Sequence, residues 1–143
     1  MRTIEDKERE IIEDFELFDS WADKYQYIIE LGQKLEQLDD LYKKKKYKIK
    51  GCQSSVWLIA DLKDGNVQYK VDSDSTFVKG LASLYVQIYN SQSPENIINH
   101  EVKFVEEIGL KQHLAANRTG GLAAIAKQMK LYAIALQSAA QIK

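Results

Sequence analysis

The chain is predicted to be an α+β sandwich, and three observations predict it. Apolar residues recur at helical spacing in the first third and again through the last half. Between those blocks the period falls to two, around an Asp64-Gly65 pair that marks a tight turn. Helices, then sheet, then helices is the order of an α+β fold, since the apolar face of a small sheet needs helices over it.

Ile11, Ile12, Phe15 and Phe18 mark a first helix, and Tyr25, Ile28, Ile29, Gly32 and Leu35 a second. Ser20 is placed to cap the second, and Asp23 suits its first turn. In the middle, Tyr47-Lys48-Ile49-Lys50 alternates, Val56-Trp57-Leu58-Ile59 begins an apolar strand through Leu62, and Val67 to Val71 alternates again. The last two form a hairpin around Asp64-Gly65, and with the first they make a three-stranded antiparallel sheet. Phe77, Leu81, Leu84, Tyr85 and Ile88 define the next helix, with Asp72, Ser73 and Asp74 as its capping candidates. Ser93-Pro94-Glu95 opens another, with Ser at the cap, Pro in the first turn and an acid near the positive end of the dipole. A long terminal helix follows Gly120-Gly121, marked by Leu122, Ile125, Met129, Tyr132, Ala133 and Leu136.

Length and composition narrow the class. A chain of 143 residues reads as a single domain, 1–143, large enough for its own core. Apolar content of 45% and charged content of 29% are those of a soluble globular protein. A net charge of −1 gives no reason to expect nucleic acid as a partner. No apolar stretch approaches the roughly 20 residues of a membrane span. The charged start, Met1 to Glu8, does not read as a signal peptide. One unpaired cysteine points to a reducing compartment, so a cytoplasmic location is expected.

That cysteine, Cys52, is the candidate for chemistry, and if it acts it does so as a single thiol. It cannot close an intramolecular disulfide, and with His100 and His113 as the sole imidazoles it is a poor start for a metal site. A free cysteine is often no more than a small buried hydrophobe. Its neighbours argue otherwise. Gly51 permits a sharp turn, Gln53, Ser54 and Ser55 are polar, and the strand follows directly, so Cys52 sits on a loop feeding a strand. Lys43 to Lys46, Lys48 and Lys50 lie just upstream, either as a solvated face or to favour a thiolate or guide an acidic partner, with Lys50 nearest in sequence. A cysteine hydrolase needs a base touching the sulfur, and nothing in the sequence brings a histidine there. Sulfur exchange needs access and thiolate character but no held base, so a relay fits better. A plain interaction module, with Cys52 incidental, is the third reading.

Gly51-Cys52-Gln53-Ser54 running into Val56-Trp57-Leu58 resembles the cysteine loop of the SufE family of sulfur-acceptor proteins. The similarity continues through Asp72-Ser73-Asp74, Val78-Lys79-Gly80-Leu81, Leu110, Gln112-His113-Leu114, Arg118 and Gly121-Leu122, over roughly residues 45 to 130. The resemblance implies the fold of IscU-type scaffolds, with the cysteine on a loop at one edge. It implies a protein that is not itself an enzyme but accepts sulfur from a pyridoxal-phosphate cysteine desulfurase of the SufS type and activates it. The sulfur is held as a persulfide on Cys52 and passed to a SufB-type scaffold complex of the SUF system for iron–sulfur cluster assembly; a relay to tRNA or cofactor thiolation is the alternative. The cofactor would be the desulfurase's, and with one cysteine the chain is ill equipped to hold a metal cluster itself. By position Cys52 is the acceptor, while Gly51, Gln53 and Ser54 shape its loop. Asp74 is expected as a helix cap first and a gate or docking residue second. Arg118 is expected either to steady an anionic persulfide or an acidic group near the loop, or to form a structural ion pair. His113 is expected to be a structural hydrogen-bonding residue.

Overall fold

A computed structural model describes residues 2–114 and 116–142, with the side chains of 116–119 and 141–142 outside the description. Helix α1 (Ile4–Glu16) opens on a reciprocal cap: Thr3 Oγ accepts from Asp6 N, and Asp6 accepts from Thr3 N. It buries Ile4, Ile11 and Phe15. Helix α2 (Trp21–Gln33) is capped by Ser20 as its sequence predicts, with Asp23 N donating to Ser20 Oγ at 3.2 Å. Phe18 and Leu35 fall just outside these helices. Phe18 still packs its ring on Tyr27, 4.9 Å away.

Strands β1 (Val56–Lys63) and β2 (Asn66–Ser73) pair antiparallel in a register running from Val56 opposite Ser73 to Lys63 opposite Asn66. Asp64 and Gly65 both take positive φ, 55° and 81°, as a two-residue hairpin turn of the type matched to strand twist requires. Val56, Leu58, Val67, Tyr69 and Val71 are buried.

The expected third strand is reduced to a bridge between Lys48 and Trp57 and one bond from Ile49 N to Val56 O at 2.8 Å. A tight 3-10 turn occupies Lys45–Tyr47, and Gly51 turns the chain away at φ +93°, so too little extended backbone remains between them. The sheet therefore has two strands among the described residues.

Helix α3 (Thr76–Tyr89) is the centre of the molecule, burying Phe77, Leu81, Leu84, Tyr85, Ile88 and Tyr89 between α1, α2, α7 and the hairpin. Its crossing with α2 is so close that a Cβ on Gly80 would lie 2.0 Å from the Ile28 carbonyl oxygen. Only glycine fits there. The cap of α3 is Ser75, whose Oγ accepts from Val78 N at 3.2 Å; Asp72, Ser73 and Asp74, the expected candidates, do other work.

Helix α4 (Pro94–Asn99) starts at Ser93 as expected. Two single-turn helices, α5 (Phe104–Glu107) and α6 (Leu110–His113), follow; they are too short to leave a periodic signal in the sequence. Helix α7 (Ala116–Ile142) begins before Gly120-Gly121 rather than after it. Two interior glycines cost about 2 kcal/mol of helix propensity together. Burial of Leu122, Ile125, Met129 and Ala133 outweighs that. Two tyrosines sew α7 to the hairpin: Tyr132 Oη donates to Leu58 O at 2.7 Å and Tyr69 Oη to Met129 O at 2.6 Å.

The other feature without a sequence signal is a buried polar chain. Glu8 of α1 faces His100, with Oε1 and Nε2 3.0 Å apart, and its second oxygen accepts from Lys103 N at 2.7 Å and Phe104 N at 3.0 Å. The other ring nitrogen of His100 meets Tyr89 Oη at 3.0 Å. His100 is thus held inside the fold.

Candidate functional site

The loop from Gly51 to Ser55 is shaped by a left-handed glycine at its start and fastened at its end. Gly51 needs its left-handed φ to reverse the chain. Beyond the cysteine, Ser55 is fastened to the connection between β2 and α3. Its N–H donates to Asp74 Oδ1 at 3.0 Å, and its carbonyl accepts from Asp74 N at 3.2 Å and from Ser73 Oγ at 2.8 Å. Asp74 is therefore a fastener of the cysteine loop. Asp72, one residue before Ser73, is buried and pairs with Lys79 at 3.3 Å and Lys43 at 3.4 Å. Burial works to raise its carboxyl, but Ser73 N–H and the two ammonium groups outweigh that and hold it below the usual range.

Cys52 is half-buried, pointing into a cleft of about 90 Å³ lined by Gln53, Ser54, Val78 and Leu81 of α3, and Gly121, Leu122 and Ile125 of α7. On the same measure a single water needs about 10–15 Å³, so a further sulfur atom has room. Sγ donates to the Gly121 carbonyl at 3.6 Å. A side chain on Gly121 would place its Cβ 3.7 Å from Sγ, in contact with the sulfur. A glycine here leaves the cleft open beside the thiol.

Burial pushes the Cys52 thiol above its ordinary pKa. The carbonyl partner acts in the same sense, because it accepts from the S–H form and offers nothing to a thiolate. The upstream lysines, Lys50 included, do not reverse this. At rest the sulfur is a shielded, protonated thiol, which the sequence did not disclose. Alkylation of free Cys52 by iodoacetamide is therefore expected to reach half its maximal rate at a higher pH than glutathione treated alongside. A midpoint at or below that of glutathione would show a thiolate-stabilising contact instead. The stability linkage has the same sign: folded protein holds this proton more tightly, so the contribution is complete below the pKa of an unfolded thiol and is lost as pH rises through the folded value.

Of the residues expected to act, Gly51, Cys52, Gln53 and Ser54 form the loop itself, and Asp74 adjoins it. Arg118 lies in the first turn of α7, and its side chain is outside the described residues. Neither histidine lines the cleft. His113 stacks on Trp21 with centroids 4.0 Å apart, a structural packing role. Sequence reasoning missed the walls of the cleft, Val78, Leu81 and Ile125. Val78 and Leu81 share a helix face at a spacing of three, a signal that is present but does not say which loop they face.

The fold and site define a small α+β protein that presents one half-buried thiol on a fastened loop at the mouth of an apolar cleft. The chain belongs to the SufE family: the family model described as "SufE: Fe-S metabolism associated domain" matches residues 9–133. The chain is also similar in fold to a solved protein, the solution structure of a hypothetical protein from Thermus thermophilus. The TM-score is 0.76 at 19% identity, over 92% of this chain and 96% of that one. Among the described residues no helix is long and apolar enough to cross a membrane.

Proposed function

We propose that the chain is a sulfur acceptor and activator for a pyridoxal-phosphate cysteine desulfurase of the SufS type, carrying sulfane sulfur on Cys52 and delivering it to a SufB-type scaffold for iron–sulfur cluster assembly. The observation that carries this reading is the single thiol, shielded beside an apolar cleft with room for one further sulfur. Membership of a family associated with Fe–S metabolism supports it.

In the transfer, Cys52 gives up its proton and its thiolate attacks the terminal sulfur of a persulfide on the donor's cysteine. A bond forms between Cys52 Sγ and that sulfur, the donor's S–S bond breaks, and the donor cysteine leaves as a thiolate with the electron pair. The exchange is redox-neutral. The new persulfide is open to reduction and oxidation in water, and the walls of Val78, Leu81 and Ile125 can shield it until delivery. Delivery then turns Cys52 outwards. Moving so small a side chain out of its apolar contacts costs on the order of 1 kcal/mol, which docking can offset.

The test is to incubate the protein with the desulfurase and cysteine and weigh it intact. A gain of one sulfur atom, mapped to Cys52, is expected; an unchanged mass would remove the carrier reading.

Asp74 sets how tightly the loop rests. Asp74→Ala removes an exposed hydrogen bond between a charged acceptor and Ser55 N–H, about 1.5 kcal/mol at the low end for such bonds. Alkylation of free Cys52 is expected to quicken several-fold, and the concentration needed for half-maximal desulfurase stimulation to shift, with persulfide formation retained. If the variant matches the parent in both, Asp74 serves the fold alone.

A further inference from the structure

Five of the seven residues from Lys44 to Lys50 are lysines, and Lys44, Lys45, Lys46, Lys48 and Lys50 are all exposed. Lys43 is different: it is drawn in against Asp40 and Asp72. Among the described residues the other five have no ion-pair partner, though Lys46 rests over the Tyr47 ring at 4.9 Å. The chain as a whole carries −1, so positive charge is segregated here and the remainder is correspondingly acidic.

The strip is pinned to the site. The 3-10 turn at Lys45–Tyr47, the bridge from Lys48 to Trp57 and the bond from Ile49 N to Val56 O lock it against the strand that leaves the cysteine loop. Each residue spans at most about 3.6 Å, so the Cα atoms of Lys50 and Lys48 lie within roughly 7 Å and 14 Å of that of Cys52. A standard interface covers about 800 Å² per partner, a disc of roughly 16 Å radius. A standard interface centred on Cys52 therefore reaches as far as the backbone of Lys48 and Lys50.

We propose that this strip is the electrostatic docking surface for the sulfur donor, a desulfurase bearing an acidic patch beside its persulfide cysteine. This rests on the sulfur-transfer reading and adds to it which face of the chain meets the donor and with what charge. Like charges within a Debye length of about 8 Å repel one another, and an acidic partner relieves that repulsion while raising the encounter rate. A finite acidic patch on a protein fits a short strip on an otherwise acidic chain. A polynucleotide needs a longer basic track than one short strip on a chain whose net charge is −1.

The test titrates two proteins, the parent and a Lys44→Gln, Lys45→Gln, Lys48→Gln, Lys50→Gln variant, into the desulfurase at low and at high salt. Sulfide release and sulfur loading of Cys52 are followed. At low salt the variant is expected to need about tenfold more protein for half-saturation, and at high salt the two should converge. The loss is in the half-saturating concentration, with the plateau still reached. The parent's own half-saturating concentration should rise with salt, a measurement that stands even if the variant folds poorly. A salt-independent parent, or superposed low-salt titrations, would overturn the docking strip while leaving sulfur transfer intact. A parent that takes no sulfur at all would overturn both. Poly(U) retained by the parent and lost by the variant, with the desulfurase titrations unchanged, would assign the strip to nucleic acid and overturn the proposal.

Discussion

Cys52→Ser is expected to abolish both the sulfur gain of the protein and its stimulation of the desulfurase. The reason is stoichiometric: Cys52 is the chain's one thiol, so no second sulfur can take over. A serine hydroxyl does not attack a sulfane sulfur as a thiolate does. The fold should survive, because a small half-buried side chain is exchanged for one of nearly the same shape. The change in stability should stay near 1 kcal/mol or less. Desulfurase turnover against added protein, with a denaturant curve on each variant, checks both halves. Normal stimulation by the serine variant would leave the chain a docking partner that carries no sulfur.

Glu8→Ala is expected to cost about 3–5 kcal/mol, the range for removing one member of a buried hydrogen-bonded charged group. Small domains are stable by only about 5–15 kcal/mol. The carboxylate is 5% exposed and satisfies three groups at once: His100 and the N–H groups of Lys103 and Phe104. Alanine strands all three and loosens α1 from the segment leading into α5. Burial works to raise the Glu8 carboxyl, yet His100 and the two N–H groups outweigh it and hold it below its ordinary 4.5. A lowered folded pKa makes this contribution complete above the unfolded value and lost as pH falls through the folded one. The stability gap between parent and variant should therefore be full at neutral pH and narrow below about 4.5. Urea unfolding across that range measures it; a gap that widens in acid would mean the carboxyl is protonated when folded.

Local signals were readable wherever the physics is local. Asp64-Gly65 marked the hairpin because two successive positive φ angles restrict the turn to a few residue types. Ser20 and Ser93 marked helix starts because a side-chain oxygen reaches an N–H three residues on. The same rule misled at 72–75, where four consecutive short polar residues can each cap. Only the pull of Ser55 on Asp74 leaves the role to Ser75. The third strand failed for a related reason: alternation in Tyr47 to Lys50 is real, but a 3-10 turn and a left-handed glycine clip it to a bridge.

By itself the sequence determined that Cys52 is the one thiol, that it sits on a glycine-led loop before a strand, and that helices flank a hairpin. It also carried the family resemblance. Only the tertiary structure decided what surrounds the sulfur. Cys52 and Gly121 are 69 residues apart, and Glu8 and His100 are 92 apart. The first contact arises from how α7 packs over the hairpin and the second from how α1 packs beside α5, and no short window encodes such packing. The thiol's protonated, shielded resting state is a product of those contacts. It depends on a carbonyl and apolar walls supplied by distant helices, whereas reactivity judged from neighbours in sequence would follow the lysines.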